Sequence, residues 1–381
     1  MDFSWSDEQL ALKQAAVDFA QRNLNDDLVA RNRDGIWSKE AWQKCAEYGL
    51  LGLTIPTEYG GTDTDIMTTI LVMEGIGYGC KENALPFALN SHMWSVQPVI
   101  LHFGNEEQKQ SYLPKMVSGG CISAFGITEP EGGSDSYNMS STARKVDGGY
   151  ILNGEKAYVT FAPIADIAIV FAATNPDFGS WGTTAFIVER GMDGFSTTPV
   201  AEKMGLRTTP FSNLVFEDCF VPDSQRLGPE GGAVSIFTKA MESERSYIFA
   251  SQLGRMERQL EESIQYARKR NAFGQPIGKF QSVSNRIVEM KMRLETARML
   301  LYKVAWLEQQ GKPLVMEAAM AKLYLSEMFV ESSLDAIRNH GAKGFATEFE
   351  VERDLRDAVG GLIYSGTSDI QRNIVARLLG L

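Results

Sequence analysis

Phe125-Gly126-Ile127-Thr128-Glu129-Pro130-Glu131-Gly132-Gly133-Ser134-Asp135 stands where the texture of the chain changes. Upstream, the first third reads as helices broken by Gly and Pro. Ser6 and Gln9 make a capping-box pattern ahead of Leu10 and Leu12, and Pro56 and Gly60-Gly61 punctuate the helices farther along. From about Cys121, β-rich runs (167–172, 186–188 and 214–216) are bounded by the turn dipeptides Asp147-Gly148, Asn153-Gly154 and Asp193-Gly194. Beyond Gly231-Gly232 long helices resume. There Val283, Ile287, Met290, Leu294, Ala297, Leu301 and Val304 alternate spacings of four and three, the stripe of a helical bundle. The pattern predicts an α+β chain in three parts: an N-terminal α-helical domain over 1–120, a middle antiparallel β domain over 121–232 and a C-terminal four-helix bundle over 233–381.

Composition sets outer bounds. The 381 residues, 44% hydrophobic and 22% charged, suffice for two or three packed domains and exclude disordered and collagen-like classes. With 37 Lys and Arg against 48 Asp and Glu, the net charge of −11 argues against a general nucleic-acid binder, which needs a basic face to displace counterions. No run approaches the ~18 apolar residues of a membrane span. Met1-Asp2-Phe3-Ser4-Trp5 lacks a basic-then-apolar leader pattern, so a cytoplasmic location is expected. Cys45, Cys80, Cys121 and Cys219 are scattered and read as free thiols; His92, His102 and His340 offer no metal-ligand spacing. The chain has no G-x-S-x-G, Walker or G-x-G-x-x-G motif.

In the loop 125–135, small residues let backbone N–H groups approach a flat ligand, while Thr128 and Ser134 can donate hydrogen bonds. That chemistry suits an isoalloxazine ring or a thioester arm; a solvated turn has the same pattern. The loop resembles the T-E-P-x-x-G-S-D segment of acyl-CoA dehydrogenases, and other segments resemble that family in the right order over nearly the whole chain. They are 51–61 (LGLTIPTEYGG), 153–160 (NGEKAYVT), 216–222, Arg270-Asn271-Ala272-Phe273-Gly274 with Gln281, 341–345 (GAKGF) and 364–372 (YSGTSDIQR).

The resemblance implies the acyl-CoA dehydrogenase fold and FAD as cofactor. It implies that Phe125, Ile127, Thr128, Gly133, Ser134, Tyr158 and Thr160 line the flavin ring and ribityl chain. Tyr158 stands where the family often has Trp, a mild change because either aromatic face can pack on the ring. Arg270, Phe273 and Gln281, with Arg338 and Gly341, would hold the adenine and phosphate half across a subunit boundary, and Thr367, Ser368 and Asp369 would also meet the cofactor. Arg338 replaces a usual Gln, Ala342 a usual Gly and Asp369 a common Gln. An Arg at 338 could pair with pyrophosphate.

Members of this family remove a proton α to a thioester carbonyl and pass a hydride to flavin, which calls for a carboxylate with raised pKa. Many carry it as the Glu of Y-E-G-T, but here the motif is Tyr364-Ser365-Gly366-Thr367, and serine is no base. Phe237, Met241, Glu244 and Ile248 are four, three and four apart, placing one carboxylate on an apolar helical stripe. Glu242 falls elsewhere and suits a solvent-face pair with Lys239. On the residues alone such a Glu is more often the partner of a buried Arg; the resemblance to the isovaleryl-CoA branch, whose base belongs to a Glu-Arg pair on this helix, reverses that and favours Glu244 as catalytic base. Arg245 would approach the thioester arm or bridge a nearby acid. Ser134, Tyr364 and Gly366 are implied at the substrate, with the Ser365 backbone N–H on the thioester carbonyl. On this reading Ser365→Ala is mild.

Weaker markers at 161–167, 256–261 and 365–369 resemble L-prolyl-carrier-protein dehydrogenases and oxidases of pyrrole- and anatoxin-type biosynthesis. That resemblance implies two-electron oxidation of a prolyl thioester on the phosphopantetheine arm of an acyl or peptidyl carrier protein, giving a pyrroline thioester. The family further implies a homotetramer reoxidised by molecular oxygen or an electron-transfer flavoprotein. Two other readings stand beside it: a short or branched-chain acyl-CoA dehydrogenase, and a flavin-binding structural or regulatory protein without catalysis. Ser91, His92, Met93, Trp94 and Gln97 either close the acyl end or are plain core.

Overall fold

A computed structural model of the chain describes residues 4–381 and, for Ser243, the backbone alone. The N-terminal part carries α1 (Asp7–Asn23), α2 (Leu28–Asp34), α3 (Lys39–Glu47), α4 (Ile66–Gly79), α5 (Ala84–Ser91), α6 (Gln97–Phe103) and α7 (Glu106–Val117). The capping box opens α1 as the sequence predicts: Ser6 Oγ accepts from the Gln9 N–H at 3.2 Å, and Gln9 Oε1 accepts from the Ser6 N–H at 3.1 Å.

The middle part is one sheet built from β1 (Ser123–Gly126), β2 (Thr142–Val146), β3 (Gly149–Thr160), β4 (Ile167–Ala173), β5 (Thr183–Glu189), β6 (Phe195–Thr197), β7 (Phe211–Pro222) and β8 (Arg226–Leu227). Its order is β6-β7-β3-β2-β4-β5-β8, with β1 also on β4. The expectation of an antiparallel domain is corrected here. β1 lies parallel to β4 from Ser123↔Ile167 to Gly126↔Val170, and β2 meets β4 in parallel at Thr142↔Ala173. The β2–β3 hairpin reverses the chain and the return through 161–166 reverses it again, so β4 runs in the direction of β1. Apolar alternation reports burial and is blind to strand direction.

A second correction concerns Asn153-Gly154. It does not end a strand; β3 continues through it with a bulge between Leu152 and Gly154. Gly154 has φ 135°, and a Cβ there would lie 2.4 Å from Ser141 Oγ, while Asn153 and Asp218 exchange hydrogen bonds of 2.8 and 3.0 Å across to β7. Asp147-Gly148, by contrast, does close the β2–β3 hairpin.

The C-terminal part holds α8 (Ala233–Tyr247), α9 (Ala250–Lys269), the small hairpin β9 (Asn271–Ala272) and β10 (Gln275–Pro276), α10 (Gln281–Gln309), α11 (Val315–His340), α12 (Ala342–Phe345), α13 (Val351–Gly360) and α14 (Ser368–Leu378). α10 buries Met290, Leu294, Ala297, Leu301 and Val304, the stripe that the four-three spacing predicts. α4, apolar nearly all round, is buried against α1 and α9. It meets α9 backbone to backbone: a Cβ on Gly77 would come within 1.7 Å of Ser251 O, and one on Gly254 within 1.8 Å of Glu74 O. This contact fixes the start of α9 and hence the Ile248-Phe249 corner through which α8 enters it. The four cysteines are buried and unpaired, and burial pushes the Cys80 and Cys121 thiols up to about 12. No described helix is long and apolar enough to cross a membrane.

Candidate active site

The loop 125–135 leaves the sheet at a break inside it, between β1 and β2, which follow one another along the same side of β4. β1 pairs with β4 as far as Gly126, β2 resumes at Thr142, and the residues between are free to project. Two contacts pin the loop at its root. Thr128 O accepts from the Ala157 N–H at 2.7 Å, and buried Glu129 accepts from Lys156 Nζ at 2.7 Å, from Ser140 Oγ at 2.7 Å and from the Ser141 N–H at 3.0 Å. Burial opposes ionisation of Glu129, but the hydrogen bonds from Lys156, Ser140 and Ser141 outweigh it and hold the carboxyl at about 2. Farther out, the Tyr137 ring meets the Phe237 ring of α8 edge-on at 5.7 Å, which lays the loop over that helix.

These contacts set Thr128 beside Ala157 on β3, the strand that carries Tyr158 and Thr160, whereas Phe125 and Ile127 pack partly buried in the cluster with Phe171, Phe237 and Met241. Tyr158 has φ 58° and an exposed ring that stacks on Phe211 at 5.8 Å. Among the described residues the hydroxyls of Thr128, Ser134 and Thr160 have no hydrogen-bond partner, so they are available to a ligand. Available hydroxyls, an aromatic face and a Gly-bearing loop form a donor set that fits a flat polar ring system such as a flavin.

Glu244 lies on α8 and is 6% exposed, on the stripe the spacing defines. Ser365 Oγ donates to its Oε1 at 2.6 Å, while Oε2 is buried without a partner. Burial pushes the carboxyl above its ordinary value; the Ser365 hydroxyl and then the charges of Arg245 and Lys322 pull it down without cancelling that rise. Glu242 lies 3.9 Å from Lys239, the pair the spacing predicts, but both are half-buried and Glu242 also lines the cavity at Arg245 instead of facing only solvent.

Ser365 is held in the left-handed region at φ 58°, followed by Gly366 at φ 84°. Gln371 Nε2 donates to both carbonyls, at 3.1 and 2.9 Å, and Thr367 caps α14 by accepting from the Ile370 N–H at 3.2 Å. Among the described residues the Ser365 N–H has no acceptor. Tyr364 accepts from Gln252 Nε2 at 2.8 Å and packs on Phe87 and Phe249. Arg245 lines a cavity of about 190 Å³ with Tyr137, Phe237, Thr238, Met241 and Ala318. It makes no ion pair among the described residues, its Nε is buried without a partner, and burial lowers its pKa.

Arg270, Phe273, Gln281, Arg338 and Gly341 gather elsewhere, at one exposed end of the bundle, where the Tyr266 ring lies 4.3 Å from His340. Phe273 is 96% exposed; Arg338 turns to Asp335 at 3.0 Å. No hydrogen bond among the described residues joins this group to the β-sheet loop. Ser368 is buried at the start of α14, and Asp369 faces outward to Arg372 at 2.9 Å.

His92, Trp94 and Gln97 prove to be core: His92 Nδ1 lies 2.7 Å from Ser123 Oγ, Trp94 Nε1 donates to Asn90 at 3.0 Å, and Gln97 donates to Leu51 O at 2.6 Å. Two groups escape the sequence reading. The Glu129–Lys156 pair lies inside the 125–135 and 153–160 motifs, its signal a lone Lys among apolar strand residues. Lys322 shares an α11 stripe with Ala318, Leu325 and Phe329, a charge on an otherwise apolar face.

Comparison with known proteins matches residues 6–120 to the acyl-CoA dehydrogenase N-terminal domain, 124–219 to its middle domain and 232–380 to its C-terminal domain. The L-prolyl-[peptidyl-carrier protein] dehydrogenase of a Serratia species is 42% identical over 100% of this chain and 99% of its own. The crystal structure of the prolyl acyl carrier protein oxidase AnaB superposes with a TM-score of 0.98 at 47% identity, covering 99% of this chain and 100% of that one. A structure of PigA with FAD and proline gives 0.97 at 41% identity over the full length of both. The chain belongs to the acyl-CoA dehydrogenase family.

Proposed function

We propose that the protein oxidises an L-prolyl thioester, carried on the phosphopantetheine arm of an acyl or peptidyl carrier protein, to a pyrroline thioester. The observation that carries this reading is Glu244: a buried carboxyl with raised pKa and one free oxygen, in a chain 42% identical to a prolyl-carrier dehydrogenase and 47% identical to a prolyl-carrier oxidase.

In this reading Glu244 Oε2 takes the α proton, the electrons of that C–H bond form the new double bond, and the adjacent ring atom gives up its hydrogen as hydride, with the electron pair of its own bond. Ser365 Oγ holds Oε1, so that a single oxygen faces the substrate. The Ser365 N–H donates to the thioester carbonyl and stabilises the negative charge that develops there. Tyr364 and Gly366 shape the acyl end, while Arg245 and Ser134 flank the arm. FAD, when bound, supplies the acceptor for the hydride. Phe125, Ile127, Thr128, Gly133, Ser134, Tyr158 and Thr160 hold its ring and ribityl chain, with Thr367, Ser368 and Asp369 close by. Arg270, Phe273, Gln281, Arg338 and Gly341, exposed in one chain, reach the cofactor of a partner subunit in a cytoplasmic homotetramer.

Anaerobic mixing of the FAD-loaded protein with prolyl-loaded carrier protein and, separately, isovaleryl-CoA tests the substrate. The proposal expects the oxidised-flavin absorbance to bleach with the prolyl thioester. Bleaching by isovaleryl-CoA alone reassigns the enzyme to acyl-CoA oxidation, and bleaching by neither contradicts a dehydrogenase role. Admitting air then tests oxygen as reoxidant against an electron-transfer flavoprotein.

A further inference from the structure

Lys322 is fully buried on α11, and its Nζ has no hydrogen-bond partner. Desolvating an unpartnered ammonium is costly, so its retention in a packed seam calls for a compensating charge. The packing brackets its place. One turn earlier on α11, Ala318 O accepts from Ser246 Oγ of α8 at 3.5 Å, and Ala318 shares the Arg245 cavity. One turn later, Ser326 lies beside the space above Gly361, in the turn that leads to Ser365. Lys322 therefore sits in the seam of α8, α11 and the Ser365 turn, where the partnerless Oε2 of Glu244 is the complementary group.

The two do not form an ion pair, yet their charges interact. Around Glu244 the other groups are Arg245 on its own helix and Tyr364 and Ser365 from the turn; around Lys322 they are Glu244 and Arg245 from α8 and Glu327 on its own helix. Lys322 does not line the cavity, whereas Arg245 does, so the lysine can act on the base without touching substrate.

We infer that Lys322 is a positioning residue for Glu244, its buried charge keeping the carboxylate ionised and ready to accept the α proton at neutral pH. Burial lowers the lysine to about 8, so most of its charge is still present at neutral pH. The inference rests on Glu244 as base.

The test is the pH dependence of anaerobic flavin reduction by prolyl-loaded carrier protein in wild type, Lys322→Met, Lys322→Gln and Lys322→Arg, with Glu244→Gln in the same series. Loss of the charge raises the Glu244 pKa, so the acid limb should move up by about one pH unit in the Met and Gln variants. Reduction below the limb slows by roughly tenfold, while the alkaline plateau and the half-saturating carrier concentration stay put. Lys322→Arg restores the limb. Unmoved limbs in the Met and Gln variants, or an equal loss at every pH, overturn the inference. So does failure of both uncharged variants to fold while Lys322→Arg folds, which assigns the lysine to the scaffold. An active Glu244→Gln enzyme shows separately that the base is misassigned.

Discussion

Ser365 Oγ donates a 2.6 Å hydrogen bond to Glu244 Oε1, joining the turn before α14 to a carboxylate 121 residues earlier in the chain. Where many family members place a glutamate, this chain places a hydroxyl that holds the glutamate of another helix. The serine at 365 and the stripe on α8 thus form one arrangement, in which the turn before α14 touches the carboxylate of α8.

Ser365→Ala is therefore expected to act through pH. The hydroxyl pulls the Glu244 pKa down against burial, so its removal raises that value. With Glu244 as the proposed base, flavin reduction should rise with pH through its pKa; the acid limb should move up by about one pH unit, with little change on the alkaline plateau. Mild behaviour at alkaline pH and roughly tenfold slower reduction below the limb is the predicted pattern; an unmoved limb contradicts it.

Glu129→Gln strands Lys156, fully buried, without its charge partner. The expected cost is about 3 kcal/mol, read as a lower melting temperature and weaker FAD retention. Glu129 is held at about 2, below its ordinary value, so its stabilisation is complete above its unfolded value and fades as pH falls through about 2. The stability gap between variant and wild type should be full at neutral pH and narrow under acid. A constant gap counts against the ion pair as the cause.

Gly254→Ala drives a methyl to within 1.8 Å of Glu74 O. A backbone carbonyl cannot swing aside, so the α4–α9 crossing must open, at a cost of about 3 kcal/mol or more. Low soluble yield or a depressed melting temperature is expected. Wild-type stability would mean that the crossing is looser than the close approach implies.

Phe273 and Phe345, 96% and 82% exposed, are large apolar side chains on the bundle surface. A homotetramer would cover them, and Phe273→Asp should then lower both the mass measured by light scattering and the FAD content. A variant that keeps both argues against Phe273 at a shared cofactor site.

Much of this arrangement is legible in the order of residues alone. The four-three spacing around Glu244 and along α10 marks the buried faces, because helical period is written into side-chain order. Strand direction is not, which is why the middle domain reads as antiparallel although β1 runs parallel to β4. Asn153-Gly154 has the composition of a turn, but cross-strand bonds to Asp218 turn it into a bulge. The reach of Ser365 to Glu244 and the place of Lys322 depend on how three separate segments pack, which local pattern does not encode.

The most direct test of the central claim is single-turnover flavin reduction by prolyl-loaded carrier protein in Glu244→Gln beside wild type. The glutamine keeps the size of the side chain and removes its basicity. The prediction is retained FAD absorbance with reduction slowed by about 10³-fold or more, the scale of a lost general base. Reduction of the variant at the wild-type rate would show that the α proton goes to another group.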